Sequence, residues 1–285
     1  MDRWSNGLMV EKRDAAGEKI KVPAAERTRN QCIGIVRAAV RWGHKKGRIN
    51  DIRCLDALEG TLVGAPEREP AERHHVNALL GHLYEHDRDM YLVVWTAMMT
   101  GLRRGEVLAL KVDDIDVEGM TLRVDESIDR RAGPVEPKTK KGKRIIAIDM
   151  LTAEFLRRKL DSHLAFMRQY TGLDVRELPS DHWVFPSPRN PSKHWSPDGA
   201  TKVVSRAVVR CGLELGDVTM HRLRHFSATE LADAGIPDRA NADRHGHSSV
   251  VMTHGYMGRL KQSERRMAEI MGDIGLEFMK ELASA

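Results

Sequence analysis

The sequence HGHSSVVMTHGYMG at residues 245–258 decides how this chain is interpreted. It contains Tyr256, whose phenolic oxygen is a potential nucleophile. A free tyrosine has a pKa near 10, so that oxygen needs a base or a nearby positive charge to become reactive. His247 stands nine residues earlier and can move a proton or donate a hydrogen bond near neutral pH. The stretch is a reactive site only if further groups from elsewhere in the chain converge on it.

Two upstream segments supply such groups. The first, MHRLRHFSATELADAGIP at 220–237, contains His221 and Arg224, and the second, TGLRRGEVLAL at 100–110, contains Arg103. Arginines bind phosphate through paired hydrogen bonds and keep their charge at any working pH. Two fixed guanidinium groups can replace the metal ions that other nucleases use, so the set predicts phosphodiester cleavage without a metal or other cofactor.

The composition is compatible with a nucleic-acid-binding protein of a reducing compartment. Lysine and arginine number 46 against 41 acidic residues, which permits binding to a polyanion, and KTKKGKR at 138–144 concentrates the positive charge. The three cysteines form no CxxC pair, which argues against a disulfide scaffold or a cysteine zinc site. Since no apolar run approaches about 20 residues and no secretory leader is evident, we predict a cytoplasmic protein.

Composition also divides the chain. Segment 59–73 is rich in Gly, Pro and alternating charge, and therefore predicts a linker and a boundary near residue 65. The domains would be 1–65 and 66–285. The first would contain a helix over 27–46. Its apolar face would consist of Cys32, Ile35, Val36, Ala39 and Val40.

In the second domain, helical spacing alternates with one β-rich region. Residues 113–149 alternate apolar with polar side chains and are interrupted by Gly119 and Gly133-Pro134, which predicts a short antiparallel sheet. The fold class is therefore mostly α with a small antiparallel β-sheet (α+β). Helices are predicted over 72–86, 88–100, 151–169, 198–212, 219–234 and 262–284.

The last of these helices has an apolar stripe for which two packing partners remain open. The stripe could dock on the core of its own chain or on a neighbouring subunit. Its members are Met267, Ile270, Met271, Ile274, Phe278 and Leu282.

Taken together, the motifs resemble a known family. The segments at 100–110, 221–225 and 246–256 resemble, in the same order, the three conserved boxes of tyrosine recombinases of the phage integrase type. EPKTKKGKRIIAI, at 136–148, resembles the hairpin that carries the family's catalytic lysine. The similarity extends from about residue 20 to about residue 260. It implies a tyrosine-recombinase catalytic domain preceded by a helical core-binding domain.

The resemblance assigns three residues to covalent chemistry. Tyr256 would attack the scissile phosphorus, forming a 3′-phosphotyrosine bond and leaving a 5′-hydroxyl. His221 would accept the tyrosine proton, and Lys138 would protonate the departing 5′ oxygen. Lys138 is preferred because it precedes threonine in the motif. Neighbouring candidates are Lys140, Lys141 and Lys143.

Three further residues are assigned to the phosphate, and a fourth is assigned to support one of them. Arg103 and Arg224 would hold the non-bridging oxygens, and His247 would donate a hydrogen bond to one of them. Glu106 matches a position that supports the first arginine.

The implied function is site-specific DNA recombination or integration. The implied partners are double-stranded recombination sites, three further copies of the chain in a homotetramer, and accessory DNA-bending proteins, with the C-terminal helix as the contact exchanged between protomers.

The chain also departs from the family pattern. WSNGLM, at 4–9, resembles the end of an early helix of the core-binding domain, so we expect domain 1–65 to be a partial one without an arm-binding domain before it. His245 stands where the family has leucine, which places a polar group at an expected core contact. Met257-Gly258 replaces the usual residues after the tyrosine.

Three alternative functions remain open. A decayed integrase would bind DNA without cleaving it, and a type IB topoisomerase would use the same chemistry without joining two specific sites. HLYEH, at 82–86, matches an inverted zinc-protease motif, in which His82 and His86 would bind Zn²⁺ and Glu85 would act as base. The simpler interpretation of HLYEH is a polar helix face.

Overall fold

A computed structural model describes residues 7–13, 18–55, 70–136, 142–172, 174, 176–246 and 262–284. The chain divides into two compact units, Met1–Glu67 and Arg68–Ala285. The division lies beside the position that linker composition indicated. A DNA-binding role for the first unit stays a prediction.

The first unit contains a β-hairpin that we did not predict. Strands β1 (Met9–Arg13) and β2 (Lys19–Pro23) pair antiparallel, with Val10 opposite Val22. The expectation of a helix end at WSNGLM is therefore wrong for its described part, where Gly7 lies in a turn and Met9 begins a strand. Lysines alternate with Ile20 and Val22 in β2, and such β-branched side chains favour extended backbone.

The predicted first helix is confirmed, but part of its buried face is not. Helix α1 (Glu26–Lys45) buries Ile33 beside Leu55, which belongs to a 3₁₀ turn at Arg53–Leu55. Val36 and Val40 follow Ile33 on the same face. Ile35 is 63% exposed and Ala39 is exposed as well, because they lie away from the face that the 3₁₀ turn covers.

The second unit is built around one buried helix. Helix α3 (Arg88–Thr100) buries every side chain from Met90 to Thr100 except Leu92, as expected for a helix that is apolar on all sides. Asp87 caps its first turn by accepting from the amide of Met90. The predicted helices are confirmed, and two short ones, α4 and α8, were not predicted. The surrounding helices are α2 (Arg73–His86), α4 (Arg104–Val107), α5 (Met150–Thr171), α6 (Pro197–Arg210), α7 (Met220–Asp233), α8 (Asp238–His245) and α9 (Gln262–Ser284).

The predicted antiparallel sheet is also confirmed. Its three strands have the order β3-β4-β7, and Leu122 and Ile146 pair across β4 and β7 with both side chains buried. Two further hairpins join β5 to β6 and β8 to β9, of which the second was not predicted. The strands are β3 (Ile115–Asp116), β4 (Thr121–Val124), β5 (Ser127–Asp129), β6 (Gly133–Val135), β7 (Arg144–Ala147), β8 (Pro186–Ser187) and β9 (Asn190–His194).

Helix α9 packs on the core of its own chain. Met267, Met271 and Phe278 are buried there, so in the single chain the apolar stripe packs on its own core. That the C-terminal helix is the contact exchanged between protomers stays a prediction. Gly275 permits the close approach of α9 to α3, because a Cβ at this position would lie 3.0 Å from the ring of Trp95. In the described part of the chain, no helix is long and apolar enough to cross a membrane.

Candidate active site

A glycine turn at the end of α3 delivers the first arginine to the site. Gly101 ends the helix with φ +66° and donates to the carbonyl of Ala97 at 2.9 Å. A Cβ at this position would overlap the imidazole of His245, so the turn needs glycine both for its backbone and for its space. Arg103 follows two residues later and is the N-cap residue directly before α4.

We predict that Gly101→Ala lowers the free energy of unfolding by about 2–5 kcal/mol. Left-handed backbone costs an alanine about 1–2 kcal/mol, and overpacking adds about 1–3 kcal/mol. Gly172→Ala is the matched control, since Gly172 ends α5 at φ +65° with no atom near its Cβ position. Urea unfolding followed by circular dichroism measures both. Equal losses in the two variants would contradict the contact between Gly101 and His245.

A buried carboxylate organises the first arginine. Glu106 is 4% exposed and accepts from the backbone amide of Arg103 at 2.9 Å and from its Nη1 at 2.7 Å. Arg144 Nη2 donates to the same carboxylate at 2.9 Å. Burial raises the pKa of Glu106, but the charge of Arg144 and hydrogen bonds from both arginines outweigh burial, so the pKa is below its usual value. Glu106 is therefore ionised at neutral pH, which fits the supporting role expected for it.

The second arginine is fixed by backbone carbonyls. Arg224 lies on α7, is almost fully buried, and donates through Nη1 to the carbonyl of Gly101 at 2.6 Å and through Nη2 to the carbonyl of His245. Burial, followed by the neighbouring charge of Arg103, lowers the pKa of Arg224 to about 9. The guanidinium consequently keeps its charge at neutral pH.

Both arginines meet at one turn. Arg103 Nη2 donates to the carbonyl of Gly246 at 3.0 Å, next to the His245 carbonyl that Arg224 contacts. Gly246 ends α8 with φ +62°. The structure therefore brings Arg103 and Arg224 together at the residue after which segment 247–261 begins.

His221 lies one turn before Arg224 on α7. Residues three apart share a helix face, so His221 belongs to the same side of α7 as the second arginine. Its Nε2 is 3.1 Å from Nε2 of His225, with the two rings perpendicular. The three other predicted site residues, Lys138, His247 and Tyr256, lie outside the described residues. Their roles remain predictions.

Sequence reasoning missed a buried arginine beside this site. Arg244 is fully buried and donates to Glu264 at 2.7 Å, to the carbonyl of Ala147 at 3.1 Å and to that of Met99 at 3.3 Å. Burial lowers its pKa, and the charge of Glu264 opposes that effect. No local signal distinguishes Arg244 from a surface residue, because α8 reads DRANADRH and is polar throughout.

His245 fulfils the expectation of a polar group inside the core. Its side chain is fully buried, and its Nδ1 lies 2.8 Å from the carbonyl of Asn241. The ring fills the space that Gly101 leaves open. The departure from leucine is thus accommodated by one backbone partner and one glycine.

The zinc-protease motif forms part of a helix face. His82 and His86 stack on α2 with ring centroids 4.3 Å apart, and His86 Nδ1 lies 2.9 Å from the carbonyl of His82. Among the described residues, a group of three possible metal ligands lies outside the HLYEH motif. Their ligand atoms are within 4.8 Å of one another. Its members are Glu72, His74 and His75. The helix-face interpretation of HLYEH is therefore the better supported.

Comparison with known proteins gives a consistent family signal. Residues 72–263 match the model of the phage integrase family. The integrase of Mycobacterium phage L5 is 25% identical over 265 residues, which cover 91% of this chain and 65% of that protein. The tyrosine recombinase XerC-like protein of Caldanaerobacter subterraneus is 28% identical over 62% of this chain and 48% of its own. The chain thus spans less than two thirds of the length of these relatives.

Solved structures share the fold. The Tn1549 transposon integrase in complex with a circular intermediate DNA superposes with a TM-score of 0.64 at 18% identity, over 79% of this chain and 73% of that one. A λ integrase dimer bound to a core site superposes with a TM-score of 0.54 at 19% identity, over 87% and 60% of the respective chains.

Proposed function

Because this chain belongs to the phage integrase family, we propose that it is a site-specific DNA recombinase acting through a 3′-phosphotyrosine bond at Tyr256. One observation carries the proposal. Arg103 and Arg224 converge on the turn at 245–246, directly before the segment that contains His247 and Tyr256. The sequence separates these arginines by more than a hundred residues, so their meeting there is a property of the fold.

In the proposed cleavage step, the oxygen of Tyr256 attacks the phosphorus as the bond to the 5′ oxygen breaks. His221 takes the proton from the tyrosine, and Lys138 gives a proton to the leaving oxygen. Phosphoryl transfer depends mainly on positioning and on stabilising charge, which is the part given to Arg103 and Arg224. His247 adds a hydrogen bond to the phosphate.

Rejoining reverses these steps with a different strand. A 5′-hydroxyl from the second duplex attacks the phosphotyrosine, the tyrosine oxygen leaves and regains its proton, and a phosphodiester forms. The number of phosphate ester bonds is unchanged throughout, so neither ATP nor an oxidant is required.

We propose double-stranded recombination sites as the substrate and a homotetramer on two duplexes as the active assembly, with accessory DNA-bending proteins as further partners. Support comes from the DNA-bound state of the Tn1549 and λ integrases, which share the fold. The C-terminal helix α9 is the proposed contact exchanged between protomers.

A strand-joining assay tests the function. Two labelled duplexes, made from DNA flanking the gene, are incubated with the protein in the presence of a chelator and without ATP. We expect joined strands that contain both labels. Binding without joining would instead indicate a DNA-binding protein, and relaxation of supercoiled DNA without joining would indicate a topoisomerase. Either outcome would overturn the proposal.

A further inference from the structure

Arg144 is a buried arginine to which the recombinase motifs give no role. It is the first residue of β7, and its side chain is 8% exposed. Its guanidinium donates to Glu106 Oε2 at 2.9 Å, to the carbonyl of Arg244 at 2.7 Å and to that of Gly142 at 3.2 Å. Arg144 therefore links the carboxylate behind Arg103 with α8, just before the turn that both site arginines contact.

The charges around Glu106 explain why a second arginine is needed. Glu106 accepts from both Arg103 and Arg144, and one carboxylate can neutralise only one guanidinium. If Arg144 neutralises Glu106, the charges of Arg103 and Arg224 remain uncompensated. A phosphodiester carries one negative charge, and a second develops as the tyrosine oxygen adds to phosphorus. Two uncompensated arginines match that transition state, whereas a single one matches only the ground state.

We infer that Arg144 is a positioning residue that neutralises Glu106 and thereby leaves the charge of Arg103 available to the scissile phosphate. The inference rests on the proposed recombinase function. Without Arg144, the negative charge of Glu106 would be neutralised by Arg103 alone. Arg103 Nη1 already donates to Glu106 at 2.7 Å. Arg103 and Arg224 together would then present one net positive charge to the phosphate instead of two.

The test compares two DNA substrates in single-turnover cleavage. One has an ordinary scissile phosphodiester, and the other has a methylphosphonate there, which lacks the negative charge of the non-bridging oxygen. We expect Arg144→Met to cleave the phosphodiester about 10²-fold more slowly than the wild type, by analogy with the loss of one stabilising donor. On the methylphosphonate the defect should shrink to less than about tenfold, since less charge must be stabilised. A purely structural role would give the same defect on both substrates and would overturn the inference.

Arg123→Met is the matched control. Arg123 lies on the neighbouring strand β4 and also donates to a buried carboxylate, Asp114, at 3.0 Å. Its substitution should leave the ratio of the two cleavage rates at the wild-type value. A change in that ratio as large as the change in Arg144→Met would contradict a role specific to Arg144.

A charge-balanced double variant provides a second measurement of the same charge balance. Glu106→Gln combined with Arg144→Met removes one negative and one positive charge together. We expect it to cleave the phosphodiester at least about tenfold faster than Arg144→Met, because Arg103 is again uncompensated. No recovery would overturn the inference. Failure of the wild-type protein to cleave would count against the proposed function, whereas normal cleavage by Arg144→Met would count against this inference alone.

Discussion

Arg224→Ala is expected to lower the rate of covalent DNA cleavage by about 10²–10³, as when one preorganised donor is removed from an oxyanion site. Arg224 is buried and held by the carbonyls of Gly101 and His245, so its charge needs no reorientation when the reaction begins. Removing the side chain takes away that charge and leaves both carbonyls without this donor. The loss should appear in the rate of cleavage more than in DNA affinity.

Single-turnover formation of the protein–DNA adduct on a nicked suicide substrate measures this effect. Arg222→Ala is the matched control, because Arg222 lies on the same helix and donates to the carbonyls of Gly216 and Pro70, each at 2.9 Å. The control should stay within about tenfold of the wild type, because surface substitutions usually change stability by no more than about 0.5 kcal/mol. Arg224→Lys keeps the charge without the paired donors and should also be strongly impaired. Near-wild-type cleavage rates for both Arg224 variants would contradict the role of Arg224 in binding the scissile phosphate.

The second large effect is on stability. Glu264→Leu should lower the free energy of unfolding by about 3–5 kcal/mol, since it leaves the guanidinium of Arg244 buried without its counter-charge. The two side chains meet at 2.7 Å, and Arg244 has no solvent exposure. Glu264 belongs to α9 and Arg244 to α8, so the pair joins the helices that flank segment 247–261.

A double variant separates the ion pair from general packing. Arg244→Met combined with Glu264→Leu should recover most of the loss, because apolar side chains of similar size often replace a buried pair at little cost. Urea unfolding measures the variants. Glu154→Ala breaks an exposed pair with Arg157 and should leave the urea midpoint close to that of the wild type. A midpoint for Glu264→Leu as close to the wild type as that would show that the pair contributes little.

Much of the second unit could be predicted because its signals are local. Helices α2, α3 and α5 carry apolar side chains at helical spacing, and the β3-β4-β7 sheet alternates with period two. Helix α8 could not be predicted from this principle. It is short and polar, and contacts with residues far along the chain hold its Arg244 in place.

The first unit shows where local patterns mislead. The stripe on α1 included Ile35 and Ala39, yet a helix buries only the face that another element covers. Here that element is the 3₁₀ turn around Leu55, which contacts Ile33. The local sequence pattern could not predict which face of α1 the 3₁₀ turn would cover.

In the candidate site, motif order located Arg103 and Arg224 but not Arg144. A basic residue at the end of KTKKGKR is not distinguished in sequence from the lysines before it. Its burial comes from Glu106, 38 residues away, and from the carbonyl of Arg244, 100 residues away. Contacts over such separations are set by the fold. The charge balance around Arg103 and Arg224 therefore could not be predicted from the sequence.

The most direct test of the central claim is to identify the residue that becomes linked to DNA. After reaction with a suicide substrate and digestion by a protease, mass spectrometry should find the nucleotide on the peptide that contains Tyr256. Tyr256→Phe should bind DNA but form no adduct, whereas Tyr170→Phe, at a tyrosine that is 81% exposed on α5, should form it at the wild-type rate. An adduct on another residue, or an undiminished adduct in Tyr256→Phe, would contradict the account.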